Sequence, residues 1–111
     1  VAYHAFEGIA LNTAEQERLI ADVGTKNVLI LRNHGLLTLG TSISNAFKEM
    51  FFLERACQIQ VAALAGDRPL SQPDALVCEH TASQFDRDSD FLQNRDWNAL
   101  LRLLDRLEQS N

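Results

Sequence analysis

The most informative part of the sequence for the fold is residues 28–40, Val-Leu-Ile-Leu-Arg-Asn-His-Gly-Leu-Leu-Thr-Leu-Gly. Its first four residues are apolar without polar alternation, which predicts a strand covered on both faces. The polar corner Asn33-His34-Gly35 interrupts the run, and a second apolar run begins at Leu36. Because glycine permits a sharp reversal, we predict a β-hairpin here, and an offset pairing of its strands stays open.

Helical patterns surround this hairpin. Residues 1–12 read as a short strand or an extended lead-in, with a turn at Glu7-Gly8. Apolar spacing and end signals predict four helices, at about residues 14–23, 45–65, 73–85 and from 91 or 96 to 108. One hairpin is marginally stable by itself. We therefore predict a partial α/β domain whose sheet is completed by chain outside this sequence or by another subunit.

Composition limits the class of protein. The chain has 111 residues, is 46% hydrophobic and 23% charged, and carries a formal net charge of −5, which is typical of one globular domain or part of one. Its ten Lys and Arg residues are scattered, so nucleic acid is not an expected partner. No apolar run is long enough for a membrane span and no secretory signal is visible. Cys57 and Cys78 are expected to be buried, reduced thiols, and the location cytoplasmic.

His34 is the candidate metal ligand. A neutral imidazole binds zinc, and a turn at the end of a rigid hairpin fixes its direction. The alternative is a turn histidine whose ring is satisfied by backbone carbonyls. A zinc site needs about three protein ligands, and neither His4 nor His80 has a ligand at close spacing. Cys78 and His80 point about 200° apart on a helix. We expect a structural role for His4 and a solvated or hydrogen-bonded helix position for His80.

Four segments carry a family resemblance: VAYHAFEGIA at 1–10, ERLIADVG at 17–24, LRNHGLLTLG at 31–40 and LERACQIQ at 53–60. In this order and spacing the chain resembles the C-terminal half of a class II aldolase/adducin domain. The resemblance covers about residues 1–66 and, more loosely, 67–86. It implies a three-layer α/β/α domain around a mostly antiparallel sheet, assembled as a homo-oligomer. Residues 1–86 would be the C-terminal portion of that domain, and 87–111 its helical extension.

The resemblance also implies a metal site. Sugar-phosphate aldolases and epimerases of this family bind zinc through a His-x-His pair and a third histidine in an Asn-His-Gly motif, to which His34 corresponds. Zinc polarises the substrate carbonyl, and a glutamate acts as general acid/base. This sequence contains no His-x-His pair. By the resemblance those groups belong to the missing N-terminal half of the domain. Either the full-length protein carries them or its site is incomplete, and this chain alone is expected to hold no zinc and to be inactive.

Two functions follow from the resemblance. The first is a fragment of a zinc-dependent class II aldolase or epimerase, a lyase acting on a small hydroxylated carbonyl compound such as a sugar phosphate. The alternative is a non-catalytic, adducin-like module for oligomerisation and protein interaction, which the segment at 53–60 favours. No catalytic residue is predicted within this chain. A His-x-His pair and a glutamate upstream of Val1 would favour the enzyme.

Overall fold

The computed structural model describes residues 1–8, 13–66, 68–87 and 89–109, without the side chains at 86–94. It contains two compact units, Val1–Ala65 and Gly66–Asn111. The described residues form three strands and four helices. The predicted α/β class, hairpin and four helices are therefore present, and the sheet has one strand more than the hairpin supplies.

The sheet lies in the first unit. Its strands are β1 (Ala2–His4), β2 (Val28–Leu31) and β3 (Gly35–Thr38), in the order β1-β2-β3. β2 and β3 pair antiparallel with Leu31 opposite Gly35, so the hairpin forms in direct register. β1 pairs parallel with β2, with Tyr3 opposite Ile30. The described sheet is thus mixed, and a mostly antiparallel sheet stays a prediction for the whole domain.

A helix follows β1 and another follows β3. The first, α1 (Thr13–Val23), ends just before Gly24, whose φ of 53° is the left-handed value expected after a helix. The second, α2 (Ile43–Leu64), begins after Ser42, whose Oγ accepts a hydrogen bond from the Asn45 amide at 3.1 Å. Both helices agree with the predicted ranges to within about two residues. Residues 9–12, part of the predicted lead-in, lie outside the described residues.

The core of the first unit is small. Leu29 at the centre of β2 is fully buried, and Leu53 of α2 is 8% exposed. Val28 and Ile30 are only half-buried. The predicted coverage of β2 on both faces is therefore complete only at Leu29 within the described residues. Three aromatic rings of α2 are each close to half exposed: Phe47, Phe51 and Phe52.

The second unit consists of α3 (Ala75–Arg87) and α4 (Ser89–Glu108), which contact each other. α3 begins two residues later than predicted because Asp74 caps it. Its Oδ1 accepts a hydrogen bond from the Leu76 amide at 2.8 Å. Within the ranges that the structure describes, none of the helices has the length and apolar character needed to cross a membrane.

Gly40 joins β3 to α2 where the chain has no room for a side chain. A Cβ at this position would lie 2.5 Å from both the Ala46 amide nitrogen and the Asn45 Oδ1. Since backbone must shift to accept it, Gly40→Ala is expected to reduce the free energy of unfolding by about 1–3 kcal/mol, measured by urea denaturation. Gly35→Ala is the control, because nothing lies within 4 Å of the Cβ it adds. Equal stability of the two variants would contradict this packing.

Candidate functional site

His34 lies in a tight turn between β2 and β3. The turn is closed by a hydrogen bond from the His34 amide to the Leu31 carbonyl at 3.1 Å. Asn33 has a φ of 56°, a left-handed conformation that asparagine tolerates better than most residues. The reversal predicted to rest on Gly35 therefore rests on Asn33, and Gly35 opens β3 instead. The sequence pattern predicted the position of the turn correctly, but it assigned the chain reversal to Gly35 instead of Asn33.

The His34 side chain is exposed and has one aromatic neighbour. Its ring meets the ring of Phe6 edge to face, with centroids 6.2 Å apart and planes at 81°. This contact brings the segment after β1 to the hairpin turn. No three His, Cys, Asp or Glu side chains of the described residues are placed to hold a metal ion together. The assignment of His34 as a metal ligand therefore stays a prediction.

Parallel pairing brings a second pair of side chains to the same edge of the sheet. β1 and β2 run in one direction, so the residues at their carboxyl ends are neighbours. The Arg32 amide donates to the His4 carbonyl at 3.0 Å, and the Arg32 guanidinium carbon lies 5.1 Å from the centre of the Tyr3 ring. Sequence reasoning missed this pair because nothing in the pattern of residues 1–4 indicated which strand they join.

His4 is buried beneath α1. The side chain is 5% exposed, and its Nδ1 lies 2.7 Å from the Asp22 Oδ2, so Nδ1–H donates to a carboxylate. Its Nε2 is buried without a hydrogen-bond partner in the described residues and lies 3.8 Å from the Glu15 Oε1. Glu15 is itself 5% exposed. This ring ties β1 to α1, in agreement with the structural role predicted for His4.

Glu7 lies beside the buried His4, with its Oε1 3.9 Å from the His4 Nε2. Arg18 donates from Nε to the Glu7 Oε1 at 2.9 Å, and its terminal nitrogen donates to the other carboxylate oxygen. The hydrogen bonds from Arg18 lower the pKa of Glu7, and the same bonds raise the pKa of Arg18. Because the pKa of Glu7 is lower in the folded state, this pair favours folding above the ordinary glutamate pKa. That contribution is lost as the pH falls through the folded-state value.

The remaining candidates from the sequence lie on helices α2 and α3. His80 is exposed on α3, and Cys78 of the same helix is an exposed free thiol. The prediction that both cysteines are buried is therefore wrong for Cys78, because it lies on the outer face of a two-helix unit. Cys57 on α2 is half-buried and also free.

Comparison with known proteins identifies the family. Residues 1–61 match the family described as the class II aldolase and adducin N-terminal domain. The chain belongs to this family. The match includes β1, the hairpin and most of α2. It therefore includes the contact of His34 with Phe6 and that of Arg32 with Tyr3.

Three relatives show how much of the domain is represented. The chain is 44% identical over 108 residues to the Caulobacter vibrioides protein named "Putative aldolase class 2 protein", covering 96% of this chain and 42% of that protein. It is 44% identical over 78 residues to alpha-adducin of Rattus norvegicus, covering 69% of this chain and 10% of that protein. The crystal structure of an aldolase II superfamily protein from Pseudomonas syringae superposes with a TM-score of 0.80 at 48% identity, over 95% of this chain and 42% of that one. The chain thus spans less than half the length of each relative.

The bond between His4 and Asp22 supports a prediction. Asp22→Ala leaves the buried Nδ1–H of His4 without an acceptor, so the free energy of unfolding should fall by about 1–3 kcal/mol in urea denaturation. Asp96→Ala is the matched control. Asp96 also accepts a hydrogen bond from a neighbouring side chain, that of Arg95 at 2.9 Å, but both side chains are about 60% exposed, and loss of an exposed pair costs little. Equal losses in the two variants would argue against a structural role for the buried bond.

Proposed function

We propose that this chain is part of a longer zinc-dependent class II aldolase or epimerase that acts on a small hydroxylated carbonyl compound such as a sugar phosphate. One observation carries the proposal. The family's Asn-His-Gly motif forms a rigid turn here, and the His34 ring at its tip is exposed rather than packed among aliphatic side chains. In this proposal His34 is one of three zinc ligands. The name of the Caulobacter relative supports the same class of reaction.

The arrangement of the first unit supports the three-layer part of the proposal. His4 is bonded to α1 and lies beside Leu31 of β2. Thr38 lies beside Val28 of β2, and its Oγ1 donates to the Ala46 carbonyl of α2 at 2.9 Å. Val28 and Leu31 are three residues apart on β2, so their side chains point to opposite faces of the sheet, and each paired residue shares the face of its partner. We infer that α1 and α2 cover opposite faces of the sheet, as in an α/β/α domain.

The described residues do not complete a zinc site. They offer His34 at the turn, and no other histidine, cysteine or carboxylate joins it in a group of three. When bound, zinc would supply Lewis-acid polarisation of a carbonyl group. The remaining ligands would have to come from outside the described residues, in the proposal from the N-terminal half of the domain. We therefore assign no catalytic step to this chain and limit its proposed role to one ligand.

Domain organisation and assembly are part of the same proposal. Residues 1–86 would belong to the aldolase domain and 87–111 to its helical extension. The structural units divide earlier, after Ala65. Assembly into a homo-oligomer would cover the half-exposed rings of α2. The relatives' greater length supports additional chain in the whole protein, which in the proposal is the N-terminal half of the domain.

The second candidate is an adducin-like module without catalytic activity. The observation that favours it is the 44% identity to alpha-adducin over 78 residues. In this case the same fold would serve oligomerisation and protein binding, and the exposed His34 would not bind a metal ion. Zinc content and aldol cleavage by the full-length protein distinguish the two functions.

Substitution of His34 tests the proposed ligand. In the full-length protein, we expect about one zinc ion per chain. His34→Ala should lose most of it on dialysis, since a three-ligand site with one ligand removed binds metal weakly. The measurement is zinc per chain by atomic emission spectrometry. His80→Ala is the control, because His80 is an exposed helical histidine. Unchanged zinc in His34→Ala would remove this residue from the site.

The 111-residue chain produced alone provides a second test. With His34 as its one ligand at the turn, it should take up no stoichiometric zinc in competition with a chromophoric chelator, and it should show no aldol cleavage. Tight binding of one zinc ion per chain would contradict the proposed division of the ligands between two halves of the domain.

A further inference from the structure

Arg32, at the carboxyl end of β2, is a cation that has no charged partner among the described residues. Its side chain is exposed, and within the described parts of the chain no carboxylate lies within ion-pair distance of its guanidinium group. Other described cations, among them Arg102 and Arg106, also have no described carboxylate within ion-pair distance, so Arg32 is distinguished by its aromatic contact and its place at the sheet edge. By contrast, Arg18 and Arg95 are each paired with a carboxylate.

The position of Arg32 is restrained at both ends. Its backbone amide is bonded to the His4 carbonyl, and its guanidinium carbon lies 5.1 Å from the centre of the Tyr3 ring. Contact with an aromatic face restrains the guanidinium plane but leaves the N–H groups at its edge available. Such an edge binds the two oxygens of a carboxylate or phosphate group in a bidentate manner.

Strand alternation explains why Tyr3 is available for this contact. His4 is bonded to α1 on one face of the sheet, so its neighbour Tyr3 points to the other face. Ile30 lies opposite Tyr3, and Arg32, two residues further along, continues the same face. Arg32 and His34 are both in the turn that ends β2. An oxyanion held by Arg32 would therefore lie at the same edge of the sheet as the His34 imidazole.

We propose that Arg32, supported by Tyr3, is an oxyanion-binding subsite for a phosphate or carboxylate group of the ligand. If the anionic group belongs to the substrate whose carbonyl lies near His34, this subsite rests on the proposed function. The binding chemistry itself requires only the exposed guanidinium edge. Phosphate and carboxylate share this chemistry, and separate titrations distinguish them.

Arg55 provides a matched comparison. Its guanidinium carbon also lies over an aromatic ring, 5.8 Å from the centre of Phe51. However, its Nη1 donates to the Gln58 Oε1 at 3.3 Å, and Gln58 in turn donates to Glu54 at 3.0 Å. A neighbouring carboxylate and an occupied donor make this arginine a poor site for an anion.

The test is calorimetric titration of the full-length protein with inorganic phosphate and, separately, with acetate, at constant ionic strength. We expect saturable binding of at least one of the two anions. Arg32→Gln should weaken it at least about tenfold, as loss of a charged hydrogen-bond pair implies. Arg32→Lys, which keeps the charge without the fork, should retain part of the affinity. Arg55→Gln should leave it unchanged.

The outcomes separate this inference from the proposed function. Absence of binding of both anions, or equal affinities in the wild type and Arg32→Gln, would overturn the subsite, and so would an equal loss in Arg55→Gln. Zinc content is measured on the same preparations. A protein that binds zinc through His34 but no anion through Arg32 retains the proposed function without the subsite. A protein that binds no zinc but binds an anion through Arg32 retains the subsite and contradicts the proposed function.

Discussion

The hydrogen bond between the buried His4 and Asp22 fixes β1 against α1, and the candidate site is built on that placement. Because side chains alternate along a strand, holding His4 under α1 turns Tyr3 to the opposite face. Parallel pairing with β2 then places Arg32 over Tyr3 and brings Phe6 to His34. A three-residue strand thus organises one whole edge of the sheet, although it contributes little to the core.

The sequence was sufficient for the local elements. The apolar run at 28–31, the polar corner and the second run predicted the hairpin, and apolar spacing with glycine and serine end signals predicted the helices. A short strand within residues 1–12 was one of the two predicted alternatives, but the sequence did not indicate that β1 pairs with β2, because a parallel pair has no connecting turn whose residues can be recognised. The burial of His4 and the contact between Tyr3 and Arg32 both depend on that pairing, so no local pattern indicates them.

The candidate metal ligand illustrates the same limit. The Asn-His-Gly corner was recognisable because its turn is local, and the structure confirms the turn, although Asn33 and not Gly35 has the left-handed conformation. A metal site, however, is defined by the convergence of several ligands. His34 has no converging partners in the described residues. The proposed site rests on family membership and on the exposed imidazole, and the proposal assigns the other ligands to chain outside the described residues.

Both outer strands of the sheet have β2 as their one neighbour in the described residues. Among the described residues the backbone N–H and C=O groups on the other side of each strand are therefore unpaired, and on β3 the aliphatic side chains of Leu36 and Leu37 are only half covered. Such open edges are templates for intermolecular β-aggregation. A segment of this kind synthesised separately would face that hazard, which is smaller when further strands pair with its edges in the same polypeptide.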